Sequence, residues 1–420
     1  MKNYIFKNAS QLVTPLGRAL KKGREMQELH IIEGGCLITE NGRIKAVGGP
    51  EILEGLDEAD YEVVDCTGRT VLPGLVDSHT HFIFGGYRED EFNWRLNGDS
   101  YISIMERGGG IIATTRATRA SSLEEFLEVG RKRLRSLAEF GVSTVEGKSG
   151  YGLDKDTEIR QLESMAVLNG EGEHIRVIPT YMGPHEIPEE YKGRADEYLD
   201  FCIEEVMPLI RERNLARFCD IFTEKGVFDI PQSRRFLTAA RDMGFGIRMH
   251  ADELFEGFGG AELAGELKVA SADHLLKISD AGIRAMRDND VCGTLLPLTA
   301  FSIKADYAPA RKMVDEGMGL ALATDLNPGS CYSESVPLLI ALSTIYMGLR
   351  MEEVVTALTL NGAAALELAE EKGSLEEGKY ADVAVFDVPN YRFLTYHFGI
   401  NECVFTMSEG REVYRKPDIF

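Results

Sequence analysis

Two histidines one residue apart, His79 and His81, close an apolar run that opens Val71-Leu72-Pro73-Gly74-Leu75-Val76-Asp77. If that run is a strand, side chains two positions apart share a side. Both imidazoles then face one point and make a ready pair of ligands for a borderline metal such as zinc. An isolated His-x-His is satisfied as well by nearby carbonyls, so the other polar residues must decide. Taken with His250 and Asp325, the pair gives three imidazoles and a carboxylate, a set that suits zinc or iron and leaves room for a water. The ion would lower that water's pKa to about 7. Asp325 reads alternatively as a partner that orients a histidine. Glu253, three residues after His250, is placed to take the water proton and return it to a leaving nitrogen; the plainer reading is a surface glutamate. His274 would hydrogen-bond the attacking oxygen or a developing oxyanion, or is simply a buried structural histidine. Arg88 is a fork suited to a carboxylate, with Tyr101 and Tyr151 as hydroxyl partners, and Asn327-Pro328-Gly329-Ser330 offers donors to a polar ligand. The residues alone thus point to a metal-dependent hydrolase of a small polar C–N bond.

These side chains need a frame that brings distant segments to one place. Apolar residues at Leu123, Phe126, Leu127, Leu134, Leu137 and Ala138 predict a helix, and Val142-Ser143-Thr144-Val145-Glu146 predicts the strand after it. The same alternation repeats toward strands ending near Lys148, His185, Glu224, Glu253, His274, Pro297 and Asp325. With the run at Val71 this makes eight β units and predicts a (β/α)8 TIM-like barrel. A doubly wound open sheet alternates too. The strand ends favour the barrel, because His79, His81, Lys148, Tyr151, His185, Glu224, His250, Glu253, His274 and Asp325 all fall at or just past them. In a barrel those ends converge on the face where active sites are built.

Outside this alternation, Leu37-Ile38-Thr39 and Arg43-Ile44-Lys45-Ala46-Val47 flank Asn41-Gly42, a strong hairpin signal. Strand character returns at 381–386 and 402–407. The two chain ends are therefore expected to build one smaller β-sandwich, giving residues 1–69 and 369–420 to the sandwich and 70–368 to the barrel. Hydrophobic content of 44% and charged content of 27% suit a globular enzyme. A formal charge of −22 argues against nucleic acid as a partner. No apolar run nears the ~20 residues of a membrane span, and no signal-peptide pattern opens the chain. Seven scattered cysteines without a C-x-x-C pair fit reduced thiols in a cytoplasmic protein.

The stretch Pro73-Gly74-Leu75-Val76-Asp77-Ser78-His79-Thr80-His81 resembles the signature of the amidohydrolase superfamily. Within it the chain is similar, nearly end to end, to the imidazolonepropionase family. The likeness is carried by Phe84-Gly85-Gly86-Tyr87-Arg88-Glu89, Lys148-Ser149-Gly150-Tyr151-Gly152-Leu153, His250-Ala251-Asp252-Glu253, Ser271-Ala272-Asp273-His274-Leu275 and Ala323-Thr324-Asp325-Leu326-Asn327-Pro328-Gly329-Ser330. The resemblance implies opening of 4-imidazolone-5-propanoate to N-formimidoyl-L-glutamate in histidine catabolism. It implies one zinc or iron per chain on His79, His81, His250 and Asp325, with Glu253 as proton shuttle. It also implies substrate contacts from Arg88, Tyr151 and His185, a pocket lined by Asn327, Gly329 and Ser330, and a homodimer. Two positions depart from the family's pattern: Leu298 stands where a glycine is usual, and Gly147 where a valine is common. A superfamily deaminase acting on a nucleobase is the rival enzyme, because the same ligands serve that chemistry. A non-catalytic scaffold is the rival of another class, which retention of the full ligand set disfavours.

Overall fold

The computed structural model describes residues 2–99 and 107–417. Its centre is a parallel barrel. The strands Leu75–Asp77, Val142–Lys148, Arg176–Tyr181, Phe218–Cys219 with Phe222–Thr223, Gly246–Ala251, Ser271–His274, Cys292–Leu295 and Leu320–Leu322 pair in chain order. The ring closes where Thr80 bridges Leu326, with Asp325 N–H donating to His79 O at 3.0 Å and His81 N–H to Leu326 O at 2.9 Å. Closure thus runs through the backbone of the candidate ligands themselves.

Helices cover the outside because their apolar faces have no other place to go. Leu123–Glu139 starts at a capping box, Ser122 with Glu125, and buries Phe126, Leu127, Leu134, Leu137 and Ala138 against the strands. At about 25 cal/mol per Å² of apolar surface, such faces hold the shell to the barrel. The predicted hairpin forms as Gly35–Glu40 and Arg43–Gly48, with Asn41 at φ 52° and Gly42 at φ 80°. Both turn residues adopt the left-handed conformation that a two-residue hairpin turn requires.

The run read as one strand from Val71 is two. Thr70–Pro73 joins a six-stranded sheet with Gln11–Pro15, Leu29–Ile32, Val383–Phe386, Cys403–Ser408 and Arg411–Arg415, whereas Leu75–Asp77 opens the barrel. Gly74 is the joint: a Cβ there would lie 2.4 Å from Ser143 Oγ, so only glycine lets the chain pass so near the second barrel strand. His79 and His81 consequently lie just beyond the strand end. The six-stranded sheet faces a four-stranded one from the N-terminal segment across a core that includes Tyr4, Phe6, Leu37, Val71, Val383 and Phe405. Both chain ends thus share one sheet layer beside the barrel. Among the described residues no helix is long and apolar enough to cross a membrane.

Candidate active site

At the C-terminal face of the barrel, ligand-type atoms of His79, His81 and His250 lie within 4.8 Å of one another, and so do those of His79, His274 and Asp325. Asp325 Oδ1 stands 3.5 Å from His79 Nε2 and 4.0 Å from His81 Nε2. All five residues are buried. The orientation of two rings is fixed from behind. His79 Nδ1 meets Asp273 Oδ2 at 2.7 Å and His250 Nδ1 meets Asp220 Oδ1 at 2.9 Å. A carboxylate on Nδ1 keeps the proton there and leaves the Nε2 lone pair facing inward, the tautomer a metal ligand needs. Thr299 donates to Asp325 Oδ2 at 2.6 Å, which leaves Oδ1 toward the histidines. His79 Nε2 and His81 Nδ1 are buried without a hydrogen-bond partner, a costly state that a bound ion relieves at the former. The residues therefore fit zinc or iron.

The electrostatics keep three of the four histidines neutral, the form that donates a lone pair. Burial holds His81 and His274 far below the ordinary imidazole value, and it lowers His250 against the pull of Asp220. His79 differs: burial and Lys148 oppose its charge, but Asp273 and Asp325 raise it to about 9. Burial opposes ionisation of Asp325 too, yet its contacts with His79 keep it well below the usual carboxylate range. Two residues here take a conformation rare outside glycine, His274 at φ 74° and Asp325 at φ 53°, the kind of local strain that concentrates at functional sites.

Glu253 is not a surface glutamate. Burial pushes its carboxyl up to about 8, with the charges of Asp325 and Glu224 adding to the effect. Its Oε1 lies 3.5 Å from His274 Nδ1. The loop that carries it is pinned by buried Glu224, which accepts from the N–H groups of Glu253 at 3.1 Å and Leu254 at 2.9 Å. A carboxyl tuned toward neutrality beside a candidate metal centre suits proton transfer in both directions.

A cavity of about 360 Å³ opens onto these residues, lined also by Arg88, Glu91, Arg95, Tyr151, His185, Asn327, Gly329 and Ser330. His185 stacks on His81 at 5.0 Å between ring centroids, and its Nδ1–H donates to Gly150 O at 2.9 Å. Burial and neighbouring His250 press its pKa down to about 3, so the ring is neutral. Tyr151 packs against both histidines. Its loop is held by Glu158, which accepts from the backbone of Gly150, Gly152 and Leu153. Arg88 is already engaged: its Nε donates to Glu91 Oε2 at 2.9 Å and its Nη2 to Glu91 Oε1. Its Nη1 leans over Gly329, where a Cβ would lie 2.0 Å away, so glycine is what lets the guanidinium stand there. Asn327 spends its side chain on its own loop, accepting from the N–H groups of Gly329 and Ser330 and donating to Asp325 O. Tyr101 lies outside the described residues. The departure at Gly147 has neighbours that explain it. A Cβ on Gly147 would come within 2.6 Å of Phe82 Cε1 and 2.9 Å of Met165 Sδ, so those side chains fill the room a valine would take. Leu298 lines an adjoining apolar cavity with Phe301 and Tyr332.

Several residues that build the site carry no motif of their own. Asp220, Glu146, Arg248, Glu91, Glu158 and Thr299 act on other side chains or on backbone, as does Asp273, which stands in the Ser271-to-Leu275 motif but shows its part only through the alternation of inward positions it shares with Ser271.

A model described as "Amidohydrolase family" matches residues 221–415, and a second with the same description matches 62–107. Among solved structures, a triazine hydrolase variant superposes with a TM-score of 0.75 at 16% identity over 99% of this chain and 95% of its own. The guanine deaminase of E. coli superposes at 0.73 and 15% identity, over 99% and 100%. At such identities these show the fold alone. Imidazolonepropionase of Porphyromonas gingivalis is 53% identical over 98% of this chain and 97% of its own. That of Clostridium tetani is 49% identical over 99% of both. With about half of its residues shared along nearly the full length of both relatives, the chain belongs to the imidazolonepropionase family of the amidohydrolases.

Proposed function

We propose that the protein opens the ring of 4-imidazolone-5-propanoate to N-formimidoyl-L-glutamate, using one zinc or iron held by His79, His81, His250 and Asp325. The observation that carries this reading is the placement of the half-buried Glu253 carboxyl, whose Oε1 lies 3.5 Å from His274 Nδ1 beside the candidate ligand cluster. The bound ion would supply Lewis-acid activation of a water and of the ring carbonyl. Glu253, whose carboxylate form a bound cation would favour, takes a proton from the attacking water as the water oxygen adds to the carbonyl carbon. The same carboxyl then gives the proton to the ring nitrogen as the C–N bond breaks, so one group serves both steps. His274 steadies the oxygen on which negative charge develops. Neutral His185 and the Tyr151 hydroxyl hold the ring, and the Nη1 of Arg88, with Ser330 and the backbone of Gly329, receives the propanoate. Glu91 keeps Arg88 aimed. All seven cysteines are buried and unbridged, in keeping with a reducing, cytoplasmic setting.

The test is the loss of 4-imidazolone-5-propanoate followed by absorbance, beside cytosine and guanine as alternative substrates. Turnover of the imidazolone is expected and of the nucleobases is not; nucleobase deamination without imidazolone turnover would replace this reading with the deaminase. A homodimer is part of the proposal. Ile345, Tyr346, Tyr396 and Phe398 are exposed, and the helices Val336–Ile345 and Phe393–Tyr396 that bear or flank them are joined by a Thr344–Thr395 hydrogen bond. Exposed apolar side chains so grouped suit burial against a second copy. Light scattering should return twice the 46.6 kDa chain mass, and a single chain mass at micromolar concentration would exclude it.

A further inference from the structure

Beneath the ligand cluster the barrel interior is ionic where apolar layers are usual. Glu146 and Lys148, two apart on the second barrel strand, both point inward, as do Arg248 on the fifth and Asp273 on the sixth; all are buried, with Asp220 beside them. The Lys148 ammonium lies 2.9 Å from Glu146 Oε2, 2.7 Å from Asp220 Oδ2 and 3.6 Å from Asp273 Oδ2. Arg248 reaches Asp273 Oδ2 at 3.0 Å and Glu146 Oε1 at 3.3 Å, and donates to the carbonyls of Ser78 and Ala365. Thr180 donates to Glu146 Oε1 at 2.5 Å. Three carboxylates therefore share two cations, and Lys148 alone among the described residues touches both carboxylates that orient His79 and His250.

The donor atoms of His79, Glu146 and Asp273 also lie within 4.8 Å of one another, a spacing that by itself would accept a metal ion. What stands among these acids is the ammonium. Burial opposes its charge, but Asp220 and Glu146 overcome that and raise its pKa above the ordinary lysine value.

We propose that the Lys148 ammonium is a built-in cation that takes the place of a second metal ion and restricts this centre to one. The physical ground is charge balance. Buried carboxylates without a counter-ion are strongly unfavourable, so the acids beneath the site require a cation, and a covalently attached one cannot be exchanged. Lys148 is accordingly a positioning residue that never touches substrate. It holds the Asp220 and Asp273 carboxylates in place behind the ligands while denying the space between them to a second ion. This inference rests on the metal-centre reading above.

The experiment is zinc stoichiometry, measured by mass spectrometry after dialysis against buffered zinc, together with thermal unfolding in the presence and absence of zinc. Wild type is expected to hold one equivalent. Lys148→Ala, which removes the charge and opens the space, is expected to hold two, with a lowered Tm that excess zinc restores. Lys148→Met, which removes the charge but fills the space, is expected to hold one, with a lowered Tm that excess zinc does not restore beyond the wild-type response. One equivalent in Lys148→Ala, or failure of that variant to fold even with zinc supplied throughout expression, overturns the inference while leaving the metal centre standing. Two equivalents in wild type also overturn it. Wild type without zinc or iron would remove the metal-centre reading and this inference together.

Discussion

Glu253→Gln should cut turnover by about 10²–10⁴-fold, the range that positioned acid–base groups contribute, and at the same time make the metal-free protein more stable at alkaline pH. The two effects have one cause. The folded protein holds the Glu253 proton up to about pH 8, against 4.5 for the free side chain. Between those values the native state binds more protons than the unfolded chain, so stability falls as pH rises through the window and levels off above it. Glutamine keeps the shape, removes the titration and relieves the repulsion from Asp325 and Glu224. Tm of the two metal-free proteins should therefore be similar near pH 5 and diverge by pH 8.5, with the variant higher. An equal Tm at both pH values would show that the carboxyl is not held protonated by its surroundings. Retained turnover would move proton transfer to another group. A bound cation lowers the Glu253 pKa by favouring its carboxylate, so the stability comparison belongs to the metal-free proteins.

Asp273→Asn should weaken metal affinity by about 10–100-fold, the usual cost of losing the partner behind a metal-ligating histidine. It should also destabilise the fold by about 3–5 kcal/mol, because it breaks a buried ionic network at one partner. Asp273 touches His79 Nδ1 at 2.7 Å and Arg248 Nη2 at 3.0 Å, and accepts from Ser271. An asparagine amide could turn its oxygen to only one cationic or N–H partner and would leave Arg248 with Glu146 as its remaining acid. The pH dependence has a definite sign. Burial opposes the charge of Asp273, but Arg248 and Lys148 hold its pKa well below the ordinary carboxylate value. Its stabilising contribution is therefore complete above that ordinary value and is lost as pH falls toward the depressed one. The gap in Tm between wild type and Asp273→Asn should be full at pH 7 and narrow in acid. Chelator competition gives the affinity. An unchanged affinity with a lowered Tm would make Asp273 a purely structural residue.

The amino-acid order by itself determined the alternation of strands and helices, the barrel and the hairpin at Asn41-Gly42. These depend on periods of two and 3.6 residues and on turn chemistry, all local properties of the chain. It also marked the candidate ligands, since histidines and acids that gather at strand ends have few other reasons to be there. The break of the Val71 run at Gly74 was decided elsewhere. Thr70–Pro73 leaves the barrel because Val383–Phe386 and Gln11–Pro15 pair with it, and the near approach of Ser143 admits only glycine at the joint. The role of Arg88 likewise depended on Glu91, which takes two of its donors. Lys148 and Asp273 stood in the family motifs, but the ionic layer they form with Glu146, Asp220 and Arg248 was silent in sequence, because each residue looks like any strand acid or base until different barrel strands set it against the others. The titration of Glu253 belongs with these. A carboxyl's pKa is fixed by how much water and charge surround it, and those surroundings come from segments dozens of residues away along the chain.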